Sequence, residues 1–233
     1  MSIHISEDKN DSIHLKGIQA KNDAEIRGLE KPLQHYNFFY NIIGQPNSGK
    51  TSLWVNLITT KNKYYYKKFD KIYIFSSSLH TITKRIDLPK DRFFNGLDWN
   101  EFESLLNQMK QTEDRILFIF DDVIASIKKN VRPFLNLVYN RRHIGGCCSI
   151  ILISQVLNKI PLEIRKVASG VFFFNNRNRR ELDSLHEDYI SYSKEDFDKI
   201  LKVCFDTKHS FLFIDTTTDS LYHNFNKLNI DFS

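Results

Sequence analysis

A short polar stretch, GQPNSGKT at residues 44–51, carries two glycines, a lysine and a threonine in the spacing G-x-x-x-x-G-K-[ST]. The two glycines allow backbone N–H groups to turn inward around phosphate oxygens without a clash from a Cβ atom. The lysine can reach the β- and γ-phosphates of a nucleotide, and the threonine hydroxyl can ligate Mg²⁺. The stretch therefore predicts a phosphate-binding loop that opens a helix, with these nucleotide contacts: Gly44, Gln45, Pro46, Asn47, Ser48, Gly49, Lys50, Thr51 and Ser52.

Two adjacent carboxylates close the apolar run ILFIFDD. A carboxylate at the end of a buried strand can hold Mg²⁺, usually through a water, opposite the Thr51 hydroxyl, and this role falls to Asp121. Asp122 projects differently and is the candidate base that orients or deprotonates the attacking water. Many hydrolysing enzymes with this loop carry glutamate there, and aspartate is one methylene shorter. The alternative is that both aspartates only cap the start of a loop.

The surrounding sequence favours ATP over GTP. It holds no guanine-reading N-K-x-D tetrapeptide, and Asp121 is not followed by the D-x-x-G pattern of GTPases. The strand-like segment KIYIFSSS lies between the lysine and aspartate motifs along the chain. We expect it to be the additional strand that separates these two motifs in the class of P-loop enzymes with an extra catalytic acid.

A third cluster, NRRHIGGCCSIILISQ at residues 140–155, brackets a predicted strand with cations and one amide. Gln155 closes the strand, where an amide can hydrogen-bond the γ-phosphate or the lytic water, or simply begin a loop. Arg141 and Arg142 stand at the other end, about 17–20 Å away for a strand of ordinary length. If either serves hydrolysis, it must reach a neighbouring subunit's nucleotide, as a finger in trans. The alternative is a solvated basic helix end, with the paired cysteines as small packing residues.

Composition argues against several other classes of protein. The 233 residues, 41% of them hydrophobic, suit one packed domain, and the net charge of +5 permits contact with nucleic acid. The three cysteines form no C-x-x-C pair, so neither a disulfide framework nor a zinc site is expected. No signal peptide is visible, and no apolar stretch approaches the roughly 20 residues of a membrane span.

The elements that must position these residues alternate between strands and helices. Strands are predicted at YNFFYNIIG, FDKIYIFSSS, RILFIFDD, CSIILIS and GVFFFN; helices are predicted at KTSLWVNLITTK, LDWNEFESLLNQMKQ with Asp98 as its cap, VRPFLNLVYNRR, PLEIRKVA, 178–188 and 193–203. The segments HSFLFID and LYHNFNKL then predict a C-terminal β-hairpin. This alternation predicts an α/β fold, a three-layer P-loop NTPase of the additional-strand class with a mainly parallel sheet. Ligands on such sheets bind at the carboxyl ends of the strands.

Two regions are predicted along the chain. Residues 1–35 are polar and charge-mixed, and we expect an N-terminal extension that is partly disordered and partly helical around 21–30. Residues 36–233 are expected to form the P-loop ATPase domain, including the C-terminal helices and hairpin.

Four segments in order, GQPNSGKT, ILFIFDDV, NRRHIGGCCSIILISQ and IPLEIRKVASGVFFF, resemble the genome-packaging ATPases of poxviruses, other large DNA viruses and virophages, within the FtsK/HerA superfamily. The resemblance covers roughly residues 37–215. It implies an ATP-driven, Mg²⁺-dependent motor that translocates double-stranded DNA into a preformed capsid as a homo-oligomeric ring, hexameric or pentameric. It also implies roles for the residues that match the family's motifs. Lys50 and Thr51 match the phosphate and Mg²⁺ positions, Asp121 and Asp122 match the acidic pair, and Gln155 matches the sensor. Arg142 matches the family's Arg-His position, but Arg141 lies beside it, so either arginine could be the finger.

The resemblance implies partners as well: double-stranded DNA, a capsid or portal-vertex protein, and no membrane span, with action in the virus factory of the host cytoplasm or in the virion. Candidate DNA-binding segments are KNKYYYKK (61–68), NNRNRR (175–180) and SLHTITKRIDLPKDR (78–92). The first interleaves aromatic residues with lysines, as nucleic-acid grooves often do. Two other functions stay open: a small-molecule or nucleotide kinase, and a non-catalytic nucleotide switch or scaffold.

Overall fold

A computed structural model of the chain describes residues 25–82 and 86–230. In this part of the chain nine strands form one sheet: β1 (Phe39–Ile43), β2 (Lys71–Ser76), β3 (Phe93–Asn95), β4 (Arg115–Asp121), β5 (Cys147–Ser154), β6 (Gly170–Phe174), β7 (Phe211–Asp215), β8 (Ser220–His223) and β9 (Asn226–Lys227). Their order is β3-β2-β4-β5-β1-β6-β7-β8-β9. The six strands from β3 to β6 run parallel, and the last three pair antiparallel. The α/β fold with a mainly parallel sheet and a C-terminal hairpin is thus confirmed.

Helices cover both faces of this sheet. They are α1 (Lys50–Thr59), α2 (Leu79–Ile82), α3 (Trp99–Met109), α4 (Ile124–Lys129), α5 (Val131–Asn140), α6 (Leu162–Arg165), α7 (Arg179–Tyr189) and α8 (Lys194–Cys204). Buried residues of α1 and α2 pack on one face, and those of α3 to α8 pack on the other. Successive residues of β1 therefore alternate between the two cores, as Phe39 and Tyr40 do. The result is the predicted three-layer arrangement.

The predicted cap of α3 is present, and the helix before β5 ends close to its predicted boundary. The Asp98 side chain accepts the backbone N–H groups of Asn100 and Glu101 and caps α3. The helix predicted at VRPFLNLVYNRR is α5, and it tightens into a 3-10 turn at Arg141–His143.

Among the described residues, no helix has the length and apolar character that crossing a membrane requires.

The additional strand is present, but its sequence assignment was wrong. β5 separates β4 from β1, with Asp121 level with Ile153 and Ile43 level with Ser154. KIYIFSSS is β2 and lies outside β4. Order along the chain does not give order in the sheet, because the α4–α5 connection returns the chain so that β5 pairs with both strands at once.

The chain before β1 packs against the domain. Ile26 and Leu33 are buried in the core that α1 shares. The Gln34 side chain donates to the Ser169 carbonyl at 2.6 Å and to Asp215 Oδ1 at 2.7 Å. Residues 25–30 form a turn rather than the predicted helix, with Gly28 in a left-handed conformation at φ 73°. The rest of the predicted extension lies outside the described residues.

Candidate nucleotide-binding and catalytic site

The loop between β1 and α1 has the close-packed geometry that its glycines predict. A Cβ atom at Gly44 would lie 2.6 Å from Ser48 Oγ and 2.7 Å from Phe174 Cβ. Gly49 has φ 112°, which side chains rarely adopt, and it forms the N-cap of α1. The loop can therefore keep its inward-facing backbone only with glycine at both positions. Ser48 Oγ is buried and has no hydrogen-bond partner among the described residues.

Lys50 is held on its own loop. Its Nζ donates to the Gly44 carbonyl at 2.5 Å and to the Gln45 carbonyl at 2.8 Å. Burial lowers the pKa of Lys50, while the charges of Asp121 and Asp122 oppose that shift. The ammonium thus lies over the phosphate loop within the field of both acidic residues, where a phosphate oxygen can replace the two carbonyls as its partner.

The two predicted aspartates occupy different environments. Asp121 ends β4, and burial, reinforced by the charge of Asp122, raises its pKa to about 6. A hydrogen bond from Ser76 and the charge of Lys50 act in the opposite direction. Asp122 is exposed and has φ 56°, an uncommon conformation for a residue other than glycine. This turn breaks the strand's alternation, so the two carboxylates leave β4 in different directions.

Gln155 and Asp122 meet in space although they come from different strands. Gln155 Nε2 donates to Asp122 Oδ2 at 3.1 Å. The contact arises because β5 lies beside β4 with both strands ending at the same edge of the sheet. The predicted sensor amide therefore contacts the predicted base directly, which orients that carboxylate at the carboxyl ends of β4 and β5.

The chemistry of the donors suits Mg²⁺. Among the described residues, no group of three or more His, Cys, Asp or Glu side chains could hold a metal by itself. Mg²⁺ does not need such a cage, because it keeps several waters and binds one or two protein oxygens together with nucleotide phosphates. Asp121, half-buried at the end of β4, and Thr51, in the first turn of α1, would supply those oxygens.

A cavity of about 970 Å³ begins at the phosphate loop and continues along α1. Four aromatic side chains line it: Tyr64, Phe174, Phe211 and Phe225. The Phe211 and Phe225 rings lie 5.4 Å apart edge to face, and the Tyr64 and Phe225 centroids lie 5.9 Å apart. Its volume and apolar lining suit a nucleoside whose phosphates rest on residues 47–51.

His209 and Ser76 belong to the candidate site, although no sequence pattern indicates either residue. His209 Nδ1 lies 3.0 Å from the Ser48 carbonyl, which can only accept, so the imidazole donates to the phosphate loop. Its backbone is left-handed at φ 70°. Neither residue belongs to a motif. Ser76 lies in the site because β2 pairs with β4, and His209 lies there because the loop before β7 contacts the phosphate loop. No local sequence pattern indicates either contact.

The structure separates the two candidate fingers. Arg141 Nε donates to the Asn37 carbonyl and Nη1 donates to the Val138 carbonyl, both at 2.6 Å. Arg142 is exposed at the same turn. Both precede β5, whose eight residues span about 25 Å. Arg141 is thus partly buried and bonded to two carbonyls, and Arg142 is exposed a strand's length from Gln155.

The cysteines of this segment are packing residues, as predicted. Cys147 and Cys148 are both buried at the start of β5. Burial raises the pKa of Cys147 to about 12, and it raises that of Cys148 as well. Neutral, buried thiols are poor nucleophiles and poor metal ligands.

Solved structures share the fold of this chain. The DNA-packaging ATPase B204 from Sulfolobus Turreted Icosahedral Virus superposes with a TM-score of 0.60 at 18% identity, covering 82% of this chain and 98% of that chain. The genome packaging NTPase B204 from Sulfolobus turreted icosahedral virus 2, in complex with AMP, gives 0.61 at 18% identity with the same coverage. EssC (ATPases 2 and 3) from Geobacillus thermodenitrificans gives 0.56 at 15% identity, over 84% of this chain and 41% of that one.

Comparisons of sequence alone find less. No family model matches the chain, and a search of curated proteins finds no match either. The likeness is one of fold rather than of sequence. The resemblance drawn from the sequence is therefore supported at the level of the fold: this chain has the α/β P-loop NTPase fold that viral packaging ATPase B204 also has.

Proposed function

We propose that this protein is an ATP hydrolase that drives double-stranded DNA into a viral capsid, working as a homo-oligomeric ring. The observation that carries the proposal is the meeting of Lys50, Asp121 and the Asp122–Gln155 pair at the carboxyl ends of β1, β4 and β5. The fold shared with a DNA-packaging ATPase supports it. A capsid or portal-vertex protein, and action in the virus factory or virion, belong to the same proposal.

The residues divide the work of hydrolysis. Lys50 exchanges its loop carbonyls for β- and γ-phosphate oxygens and stabilises the negative charge there. Asp122, held by the Gln155 amide, orients the attacking water and accepts its proton. Thr51 and Asp121 would hold Mg²⁺, which supplies positive charge to the phosphates when it is bound. Arg142 of a neighbouring copy supplies a further positive charge, which stabilises the negative charge on the transferred phosphoryl group.

One titration tests the proposal against its rivals: phosphate release measured over a range of protein concentrations, with and without a duplex of about 30 base pairs. A ring with a shared site predicts a specific activity that rises with protein concentration, and duplex should raise it further. A kinase would transfer phosphate to an acceptor instead of releasing it. A nucleotide switch would bind ATP and release no phosphate even at the highest protein concentration. Phosphate transfer to an acceptor, or ATP binding without phosphate release, would contradict the proposal.

The aromatic cavity gives a second prediction. Phe225→Ala should weaken ATP binding about tenfold, because a stacked base contributes about 1–3 kcal/mol, while binding of inorganic tripolyphosphate stays unchanged. Calorimetry with both ligands makes this measurement, and Phe205→Ala, another half-buried aromatic, is the matched control. Equal losses for ATP and tripolyphosphate would show that Phe225 supports the fold rather than the nucleoside.

A further inference from the structure

The segment after the sensor strand is held by a buried carboxylate from another helix. Glu181 lies in the first turn of α7 and is only 3% exposed. Its Oε2 accepts the Leu157 N–H at 2.5 Å, and its Oε1 accepts the Asn158 N–H at 3.3 Å. Burying a carboxylate costs free energy unless it is hydrogen-bonded. Glu181 is therefore fixed to the backbone two residues beyond Gln155.

The backbone between Gln155 and Leu157 is also fixed at its other side. Ser154 Oγ accepts the Val156 N–H at 3.2 Å and donates to the Val156 carbonyl at 2.9 Å. The Ser154 carbonyl accepts the Gly44 N–H at 3.2 Å. Gln155 thus lies between Ser154, anchored in the sheet, and Leu157, anchored by Glu181, so a displacement of α7 can be passed through two residues to Gln155 and its 3.1 Å contact to Asp122.

The residues just before Glu181 form the basic segment 175–180, NNRNRR. Its three arginines, Arg177, Arg179 and Arg180, are exposed within four positions of one another. Guanidinium groups bind phosphate oxygens in pairs of hydrogen bonds and follow a nucleic-acid backbone without regard to its sequence. This grouping of charge therefore suits duplex phosphates.

The basic segment is joined to the nucleotide site and to the start of α7. Asn176, 5% exposed, accepts the Gln45 side-chain amide at 3.2 Å, which ties the segment to the phosphate loop. Asn178 caps α7 by accepting the Arg180 N–H at 3.1 Å. A force on the arginines thus reaches both the phosphate loop and the helix that carries Glu181.

The rival basic segment 61–68 is less suited to duplex DNA. Tyr65, which looked like a stacking residue, is fully buried and donates its hydroxyl to the Gln34 carbonyl. Lys63 and Tyr64 line the cavity beside α1. The segment is therefore partly core and partly wall of the candidate nucleotide site.

We propose that Glu181 is a positioning residue for Gln155, and that duplex DNA bound by Arg177, Arg179 and Arg180 changes the rate of hydrolysis through it. The inference rests on the proposed function, because it assigns the contact by which DNA acts on the ATP site. When a duplex binds the arginines, it displaces the start of α7. The Glu181 carboxylate then transmits that displacement to the backbone beside Gln155.

A double-mutant cycle without DNA tests the positioning role. Glu181→Gln keeps the length of the side chain and replaces one acceptor oxygen by an amide. It should lower kcat about tenfold with KM for ATP changed less than about twofold. In a Gln155→Ala background the same change should have no further effect beyond about twofold. Asp98→Asn, which alters another carboxylate that accepts two helix N–H groups, should leave both backgrounds unaffected.

Duplex binding tests the transmission. Changing the three arginines to glutamine should weaken binding of a labelled 30-base-pair duplex at least about tenfold and reduce its salt slope by about 2–3. Glu181→Gln should bind the same duplex within about twofold of wild type, yet duplex should no longer raise its kcat. A matched loss of three cations elsewhere, Lys110, Lys199 and Lys202 to glutamine, should leave the stimulation intact.

The outcomes separate the inference from the proposed function. Additive losses in the mutant cycle would show that Glu181 acts through stability alone and would overturn the positioning role. Equal duplex stimulation of wild type and Glu181→Gln would overturn the transmission. If the arginine changes weaken tripolyphosphate rather than duplex, they belong to the nucleotide site and the inference is wrong. A wild-type enzyme that hydrolyses ATP with no response to duplex would contradict the DNA part of the proposed function itself.

Discussion

Lys50→Ala is expected to reduce ATP turnover at least about a thousandfold. The ammonium lies over the phosphate loop, bonded to the Gly44 and Gln45 carbonyls, and within the field of Asp121 and Asp122. Its removal leaves two carboxylates facing the phosphates with no cation from the same subunit between them. Phosphate release at saturating ATP is the measurement, with tripolyphosphate binding expected to fall as well.

One control variant and one stability measurement make this result specific. Lys202→Ala, an exposed cation on α8, should leave turnover unchanged. The melting temperature of Lys50→Ala should not fall. Burial lowers the pKa of Lys50, which means that the folded protein disfavours the charged ammonium, so its removal should not destabilise the fold. If Lys50→Ala retained more than about a tenth of wild-type turnover, the phosphate-loop assignment would be wrong.

Mixing two inactive variants should restore turnover. Arg142→Ala should lose about a thousandfold as a missing finger, and Asp122→Ala about a hundredfold as a missing base. In an equimolar mixture, about a quarter of the interfaces in a ring would join an intact Asp122 to a neighbour's intact Arg142. Turnover should therefore recover to about a quarter of the wild-type rate, measured as phosphate release after mixing and re-equilibration.

A matched mixture is the control for this recovery. Arg142→Ala combined with the Arg142→Ala, Asp122→Ala double variant contains no productive interface, so its turnover should stay at the level of the single variant. If the first mixture also stayed there, the finger in trans would be excluded. Arg141 is unsuitable for this experiment, because its bonds to the Asn37 and Val138 carbonyls make its loss a change in the fold.

The sequence predicted those features of the fold and of the candidate site whose chemistry is local. Gly44 to Thr51 form a contiguous motif, and the structure shows why its glycines are needed, since a Cβ at Gly44 would clash with Phe174. Asp98 was predicted as a cap because a capping residue and its helix are neighbours in sequence. Strands rich in Phe and Ile were found for the same reason: burial on both faces leaves continuous apolar runs.

What the sequence could not predict depends on which strands are neighbours. KIYIFSSS was assigned between the lysine and aspartate strands, but that place belongs to β5, which pairs with both. The short strand β3 and the site residues His209 and Ser76 were missed for a related reason. Their contacts join residues far apart along the chain, and no periodicity records such contacts.

The place of β5 has a mechanical consequence. All eight of its residues are buried, and it is hydrogen-bonded along both sides, to β4 and to β1. Such a strand cannot slide by one residue without turning every side chain to the opposite face. The strand therefore keeps a constant distance between the arginine turn at one end and Gln155 at the other. In the ring that we propose, the length of β5, rather than any loop, separates the arginine turn of each subunit from that subunit's own Gln155.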